Sequence, residues 1–516
     1  MEAAGTLGRL GLSTHRETLA ELVRSRSRVF WVVAGLTAAA AALRFATLGV
    51  QSYHHDEVVT ATRILPSSFW HAMDAVGYSE SAPPLYYALA WLWTQVTGTG
   101  EVGLRSLSAL AGVATVPVSY LIGAELRDRA AGVAAAALVA ANPMLLWYSQ
   151  EARAYSLLVL LTSLSLLYFI RALGVSRGGG SRSLTLWGIF SGLALATHYF
   201  AFFPVAVEAL WLLRRRGRDV LRGLAVVAGF GVALAPLVAR QMSYAHAEWI
   251  SNFSLGHRLS EAGVTFMLGE TGDVIARPEH LSPAAVPGLL AILALLLVAA
   301  RGRAGDRRAA GISLTIAAAT VGAPLAMALL VPGLDFFLAR NLLPALVPLL
   351  VAVAIGCTLP AARRVGAVLG AALVAYSLGF SVWASISPAL QRPDWDRVAA
   401  VLGEPTTPRA MVTWTIGEAP LRYYLADGSF QPPPSGGFRW LVGEVDFISN
   451  GRAQAPPPGL LGPGFRETGY TQAGRLWIRR YARVAPGLAP LRLRLVHRAR
   501  LGFRSNWVLL DGIGPG

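Results

Sequence analysis

Val29-Phe30-Trp31-Val32-Val33-Ala34-Gly35-Leu36 opens an apolar run that ends near Leu48, and Tyr53-His54-His55-Asp56-Glu57 follows a few residues on. A membrane-crossing helix takes about 20 mostly apolar residues, so the run is long enough to span. Adjacent carboxylates where such a helix meets water are expensive to keep. Asp56 and Glu57 therefore mark a functional site and make the chain look like an enzyme.

Similar runs recur near 103–125, 130–148, 154–172, 184–213, 221–241, 284–300, 311–331, 341–359 and 365–385. The stretch 184–213 is too long for one helix and reads as two short spans turning at Thr197-His198-Tyr199, which brings His198 to the side of Asp56 and Glu57. Of 516 residues, 54% are hydrophobic and 14% charged, against roughly 25% charged in a soluble domain, so the chain reads as a polytopic membrane protein. The net charge is +16 and there is no lysine; every fixed cation is an arginine. In a membrane protein such charge reports topology first, which argues against a nucleic-acid partner. Cys357, the only cysteine, lies inside an apolar run; internal disulfides are excluded and a thiol nucleophile is disfavoured. Arg9, Arg16, Arg24, Arg26 and Arg28 precede a first run without a small-residue cleavage site, so that helix reads as retained rather than as a removed signal peptide.

Arginines cluster at the N-terminus, at Arg127 and Arg129, at Arg171, Arg177 and Arg182, from Arg214 to Arg222, from Arg301 to Arg308, and at Arg363 and Arg364. The positive-inside rule makes all of them cytoplasmic. That parity requires that Pro83 to Gly98 does not cross, so Pro83-Pro84-Leu85-Tyr86-Tyr87 and its apolar sequel are expected to lie in or dip into the outer leaflet. Eleven spans follow, with the N-terminus inside and the C-terminus outside an inner (plasma) membrane. From Gln391 the composition turns to charges, Pro, Gly and short β-like runs such as Ala410 to Trp414 and Leu476 to Tyr481. A helix is expected from Asp394-Trp395, and loops at Pro432 to Gly437 and Pro456 to Gly464. The predicted fold is thus mostly α: a cytoplasmic segment 1–28, a polytopic helical bundle over 29–387, and a small extracytoplasmic α/β domain over 388–516.

On a helix starting at Asp56, Thr60 and Arg63 share its face while Glu57 points about 100° away. One carboxylate can then face a reacting centre and the other a fixing partner. Two plainer readings stand beside this. The pair can be first-turn acids that complement the helix dipole, or His54 and His55 can join them at a metal, although contiguous residues cannot all aim at one ion. A second constellation is Trp147-Tyr148-Ser149-Gln150-Glu151-Ala152-Arg153-Ala154-Tyr155, a predicted outer loop. Without lysine, an arginine such as Arg153 would have to hold any phosphate, bidentately; alternatively it pairs with a glutamate and anchors the loop. Arg105 and Arg340 are each a snorkelling anchor or an anion ligand, with Asp335 and Asn341 adding polarity around Arg340. His198 reads as a structural histidine as readily as a functional one.

The order of an Asp-Glu pair after the first span, Pro83-Pro84-Leu85-Tyr86-Tyr87, Leu104-Arg105-Ser106-Leu107-Ser108, Tyr148-Ser149-Gln150-Glu151-Ala152-Arg153 and Arg340-Asn341-Leu342-Leu343-Pro344 resembles the family 39 glycosyltransferases. That family includes protein O-mannosyltransferases and lipid A aminoarabinose transferases of the GT-C membrane fold, and the resemblance covers roughly the first 390 residues. It implies transfer of a sugar, with inversion, from a polyprenyl-phosphate donor to a glycan, lipid or protein acceptor outside the membrane. It matches Asp56 to the catalytic base and Glu57 to its acidic companion. This chain has Ala82 where the family has histidine before Pro-Pro, and lacks the lysine that some members use for phosphate. The resemblance therefore moves the donor phosphate to Arg105, Arg153 and Arg340, with Tyr86, Tyr87, Tyr148, Glu151 and His198 around the substrate cavity. No cofactor is implied, and a divalent metal is disfavoured. A transporter or flippase of a lipid-linked sugar is the alternative, although no paired, interrupted repeat is visible; a scaffold in an envelope complex is a third reading.

Overall fold

The computed structural model describes residues 27–65, 68–174, 180–244, 248–270, 283–331, 333–425, 440–451, 461, 463–491, 501 and 506–511. Arg9, Arg16, Arg24, Arg26, Arg177, the predicted loop Pro432 to Gly437 and most of Pro456 to Gly464 lie outside them. The chain divides into two compact units, one drawn from 1–46, 80–86 and 106–381 and the other from 47–79, 87–105 and 382–516.

The first unit is helical and apolar. Among the described residues seven helices of the chain are long and apolar enough to cross a membrane, and Arg129–Ala141 with Pro143–Ser149 makes an eighth if its 58° bend lies within one span. The protein is a multi-pass membrane protein. The bend has a local cause: Asn142 leaves the helical region and its side chain accepts from Leu145 N at 3.0 Å, while Pro143 starts the next helix without an N–H to satisfy. That bend ends the second helix at Tyr148 and Ser149. The stretch 184–213 breaks where the sequence turns it: Ser181–Thr197 ends at His198, which is extended (φ −158°, ψ 134°), and Phe202–Arg216 follows after one 3-10 turn. Small residues set the closest packing. A Cβ on Gly356 would stand 2.1 Å from the carbonyl oxygen of Ala294, so Leu346–Cys357 touches Ala285–Arg301 backbone to backbone.

The second unit holds the short helices Phe69–Ser79 and most of Leu85–Thr97, the latter 13 residues long and not among the spanning helices. It also holds a sheet built from β1 (Arg409–Trp414), β3 (Glu444–Asn450), β4 (Phe465–Ala473), β5 (Leu476–Arg483) and β7 (Asn506–Asp511); β2 (Trp440–Val442) and β6 (Ala489–Leu491) pair separately. The order is β4-β5-β3-β1-β7, with β1 parallel to β3 and the other pairs antiparallel. Strand alternation buries both faces: Val445, Phe447 and Tyr481 join one cluster, Ile448 and Ile478 the other. The helix Trp395–Leu402 covers the second face with Trp395, Val398 and Leu402, and Asp394 caps it by accepting from Arg397 N at 3.1 Å.

Candidate functional site

Asp56 and Glu57 stand on a helix only five residues long, His55–Val59, which runs on as a π-helical turn over Thr60–Ile64. The π turn overrides the expected α register: Thr60 is buried and Arg63 is exposed, so the predicted Asp56-Thr60-Arg63 face does not form. Such π turns gather at functional sites. Among the described residues Arg63 makes no ion pair.

Glu57 is fully buried and accepts from three directions. His54 N–H, at the start of its own helix, donates to Oε2 at 3.0 Å, Arg105 reaches both oxygens at 2.8 Å, and Arg392 Nη1 stands 3.5 Å from Oε2. Burial alone would raise the carboxyl's pKa, but Arg105 and Arg392 outweigh it and hold it down to about 2. Arg105 is 1% exposed and spends its remaining N–H groups on the carbonyls of Leu48 (2.8 Å), Gln51 (2.6 Å) and Ser52 (3.0 Å), beside the Tyr53 ring. A guanidinium has five N–H donors, and all five point inward here. Arg105, read from the sequence as a candidate phosphate ligand, spends these donors on Glu57 and the loop carbonyls. Asp56, one residue earlier, is half-buried.

In the first unit Arg153 forms a second fork, donating to both oxygens of Glu80 at 2.8 Å. Its carbonyl accepts from Ser108 Oγ at 3.2 Å, and Ser108 Oγ lies 3.3 Å from the Tyr86 hydroxyl. Tyr148 donates to Glu270 and packs edge-on against Tyr155 (4.8 Å between centroids), whose ring lies 5.7 Å from His198. His198 Nδ1 accepts from Phe200 N–H at 3.3 Å. Burial, then the charges of Arg153 and Arg340, push the imidazole's pKa down to about 3, so it is neutral at physiological pH. Two arginines far apart in sequence thus bear on one buried ring. Arg340 lies over the Trp249 ring at 5.6 Å. Asp335, expected beside it, pairs instead with Arg258 through two 2.6 Å bonds, which hold its carboxyl below the usual range; Asn341 turns its amide to Phe336 O at 2.9 Å.

The loop carrying Arg153 is anchored by a residue that sequence reasoning passed over. Arg44, fully buried in the first helix, donates to Ser149 Oγ at 3.1 Å, and Gln150 Nε2 donates to Arg44 O at 3.0 Å. Gly112 makes room, since a Cβ there would stand 2.1 Å from Ser149 Oγ. A lone cation inside the first apolar run was the available signal. Glu80 and Arg392 gave none.

A cavity of about 360 Å³ in the same unit is lined by Tyr199, Phe200, Phe203, Leu234, Pro324 and Phe336 among others. Tyr86, Tyr87, Tyr148, Glu151 and His198, expected around a substrate cavity, do not line it. Tyr86 and Tyr87 are fully buried, and the Tyr86 and Tyr148 hydroxyls are turned into protein contacts. Among the described residues no group of three His, Cys, Asp or Glu side chains is placed to hold a metal ion.

A multi-pass helical bundle is the architecture that the sequence led us to expect. Residues 81–240 match the family model described as dolichyl-phosphate-mannose-protein mannosyltransferase, a stretch that includes the Pro83–Tyr87, Leu104–Ser108 and Tyr148–Arg153 motifs. The match covers neither Asp56 nor Arg340. No curated protein matches the chain. Among solved structures the chain is similar to the oligosaccharyltransferase AglB of Archaeoglobus fulgidus, in complex with an inhibitory peptide and a dolichol-phosphate (14% identity, TM-score 0.46, covering 81% of this chain and 61% of that one). It is also similar to ArnT of Cupriavidus metallidurans (15% identity, TM-score 0.40, 88% of this chain and 98% of that one). A third is the arabinosyltransferase EmbB of Mycobacterium smegmatis (14% identity, TM-score 0.38, 85% and 46%). The chain thus spans less than two thirds of the length of two of these three.

Proposed function

We propose that this chain is a glycosyltransferase that moves a sugar, with inversion, from a polyprenyl-phosphate-linked donor to an acceptor hydroxyl of a glycan, lipid or protein. The reaction takes place on the extracytoplasmic face of the inner (plasma) membrane, with the N-terminus cytoplasmic. The observation that carries this reading is the split within the carboxylate pair. Glu57 is sealed against Arg105, whereas Asp56 on the same short helix is half-buried. A general base must be reachable by the proton it takes, and a fixed neighbour holds it in place. In the step itself Asp56 accepts the acceptor's hydroxyl proton as that oxygen attacks the anomeric carbon. The bond from that carbon to the phosphate oxygen breaks, and its electron pair leaves with the phosphate. Arg153 and Arg340, the cations that bear on His198, stabilise the charge gathering there. The aromatic-lined cavity offers the isoprenoid tail a dry wall. The lipid-linked sugar is itself the activated substrate, so the step as written calls on no cofactor.

The test is mass spectrometry of lipids and glycans from cells lacking the protein, complemented with wild type or Asp56→Asn at matched membrane levels. The expected result is a missing glycan and an accumulated polyprenyl-phosphate sugar in the deletion and in Asp56→Asn alike. Normal glycans in Asp56→Asn end the assignment of the base.

A further inference from the structure

We propose that the chain beyond residue 387 acts as a latch on the carboxylate loop, with Arg392 and Tyr424 as positioning residues for transfer. The inference rests on the role given to Asp56 above and assigns a task to a domain that the motifs left without one.

Between Gln51 and Glu57 the loop has no sheet or long helix of its own to hold it, yet its polar groups are met one after another from the C-terminal segment. Arg392 N–H donates to Gln51 Oε1 at 3.2 Å. Ser52 Oγ donates to Pro393 O and accepts from Trp395 N–H, both at 2.9 Å, so an N–H at the start of the Trp395–Leu402 helix is spent on the loop rather than on water. Tyr53 N–H donates to the Tyr424 hydroxyl at 2.7 Å; that hydroxyl in turn donates to Glu101 at 2.6 Å, at the first residue of the helix that carries Arg105. The Tyr423 ring meets the Tyr53 ring edge-on at 5.5 Å between centroids. The Arg392 guanidinium completes the shell of Glu57. A domain that merely filled space would not collect the backbone and side-chain donors of successive loop residues in this way. These contacts fix the height and rotation of the turn from which Asp56 projects, and a displacement of about 1 Å in such a group costs on the order of a hundredfold in rate.

The experiment uses the full-length chain in lipid nanodiscs, with the polyprenyl-phosphate sugar recovered from cells lacking the protein as donor. Tyr424→Phe, Arg392→Gln and Arg392→Lys are compared with wild type and Asp56→Asn. Tyr424→Phe and Arg392→Gln should lower kcat by about tenfold or more with donor KM within about twofold, and Arg392→Lys should recover most of the loss. Hydrogen exchange over 49–58 should quicken in Tyr424→Phe while the spanning helices keep their protection. Wild-type turnover in both Tyr424→Phe and Arg392→Gln, or unchanged protection over 49–58, overturns the latch. If Asp56→Asn is inactive while the latch variants run at full rate, only the latch falls; if Asp56→Asn transfers normally, the reading beneath it falls.

Discussion

Arg105 meets Glu57 through two 2.8 Å bonds, and Arg153 meets Glu80 in the same way. What differs is the surroundings. Arg105 is ringed by the carbonyls of Leu48, Gln51 and Ser52 and is 1% exposed, while Arg153 is 12% exposed and sits in a loop whose neighbourhood includes a second arginine's field at His198. The first fork is a strut, since no donor remains to meet a ligand. The second is somewhat less enclosed, and it is the one to which the proposed function gives the donor phosphate. Identical pair chemistry thus stands in two different surroundings, and the carbonyl shell around Arg105 marks that fork as support.

The contrast can be broken most directly by Arg105→Ala. Removing one partner of a buried pair leaves an uncompensated charge, which costs about 3–5 kcal/mol, so thermal melting in detergent should fall sharply; an unchanged melting point would deny that the pair is a strut. Next comes acid. The Glu57 carboxyl is depressed to about 2 in the folded chain against an ordinary value of 4.5, so its stabilisation is complete above about 4.5 and is lost as pH falls toward about 2. Melting curves between those limits should slope for wild type and flatten for Glu57→Gln. Arg153→Ala should do the reverse of Arg105→Ala, raising donor KM by about tenfold, as for loss of a charge-assisted hydrogen bond, with a smaller loss of stability. Equal effects on donor and acceptor would count against a phosphate role. Arg63→Ala, exposed and outside both forks, should change stability by less than about 0.5 kcal/mol.

Much of the fold was legible because membrane burial writes itself into local sequence. The break at Thr197-His198-Tyr199, the helix capped by Asp394 and the strands at Ala410 and Leu476 all announce themselves within a few residues. The forks did not. Arg105 and Arg153 look alike in sequence, each a single cation beside small residues at the end of an apolar run, and only partners elsewhere separate them. Arg392 and Tyr424 lie hundreds of positions from the loop they hold, and no periodicity links such residues. The face expected of Asp56, Thr60 and Arg63 failed for a different reason: one π turn rotates the register, and composition carries no sign of it.

The lateness of Arg392 and Tyr424 in the chain bears on biogenesis. During synthesis Glu57 and Arg105 leave the ribosome early, but the groups that finish the loop around them arrive only after the spanning helices have been made. Nascent chains therefore carry the Glu57–Arg105 pair without its Arg392 and Tyr424 contacts through most of translation.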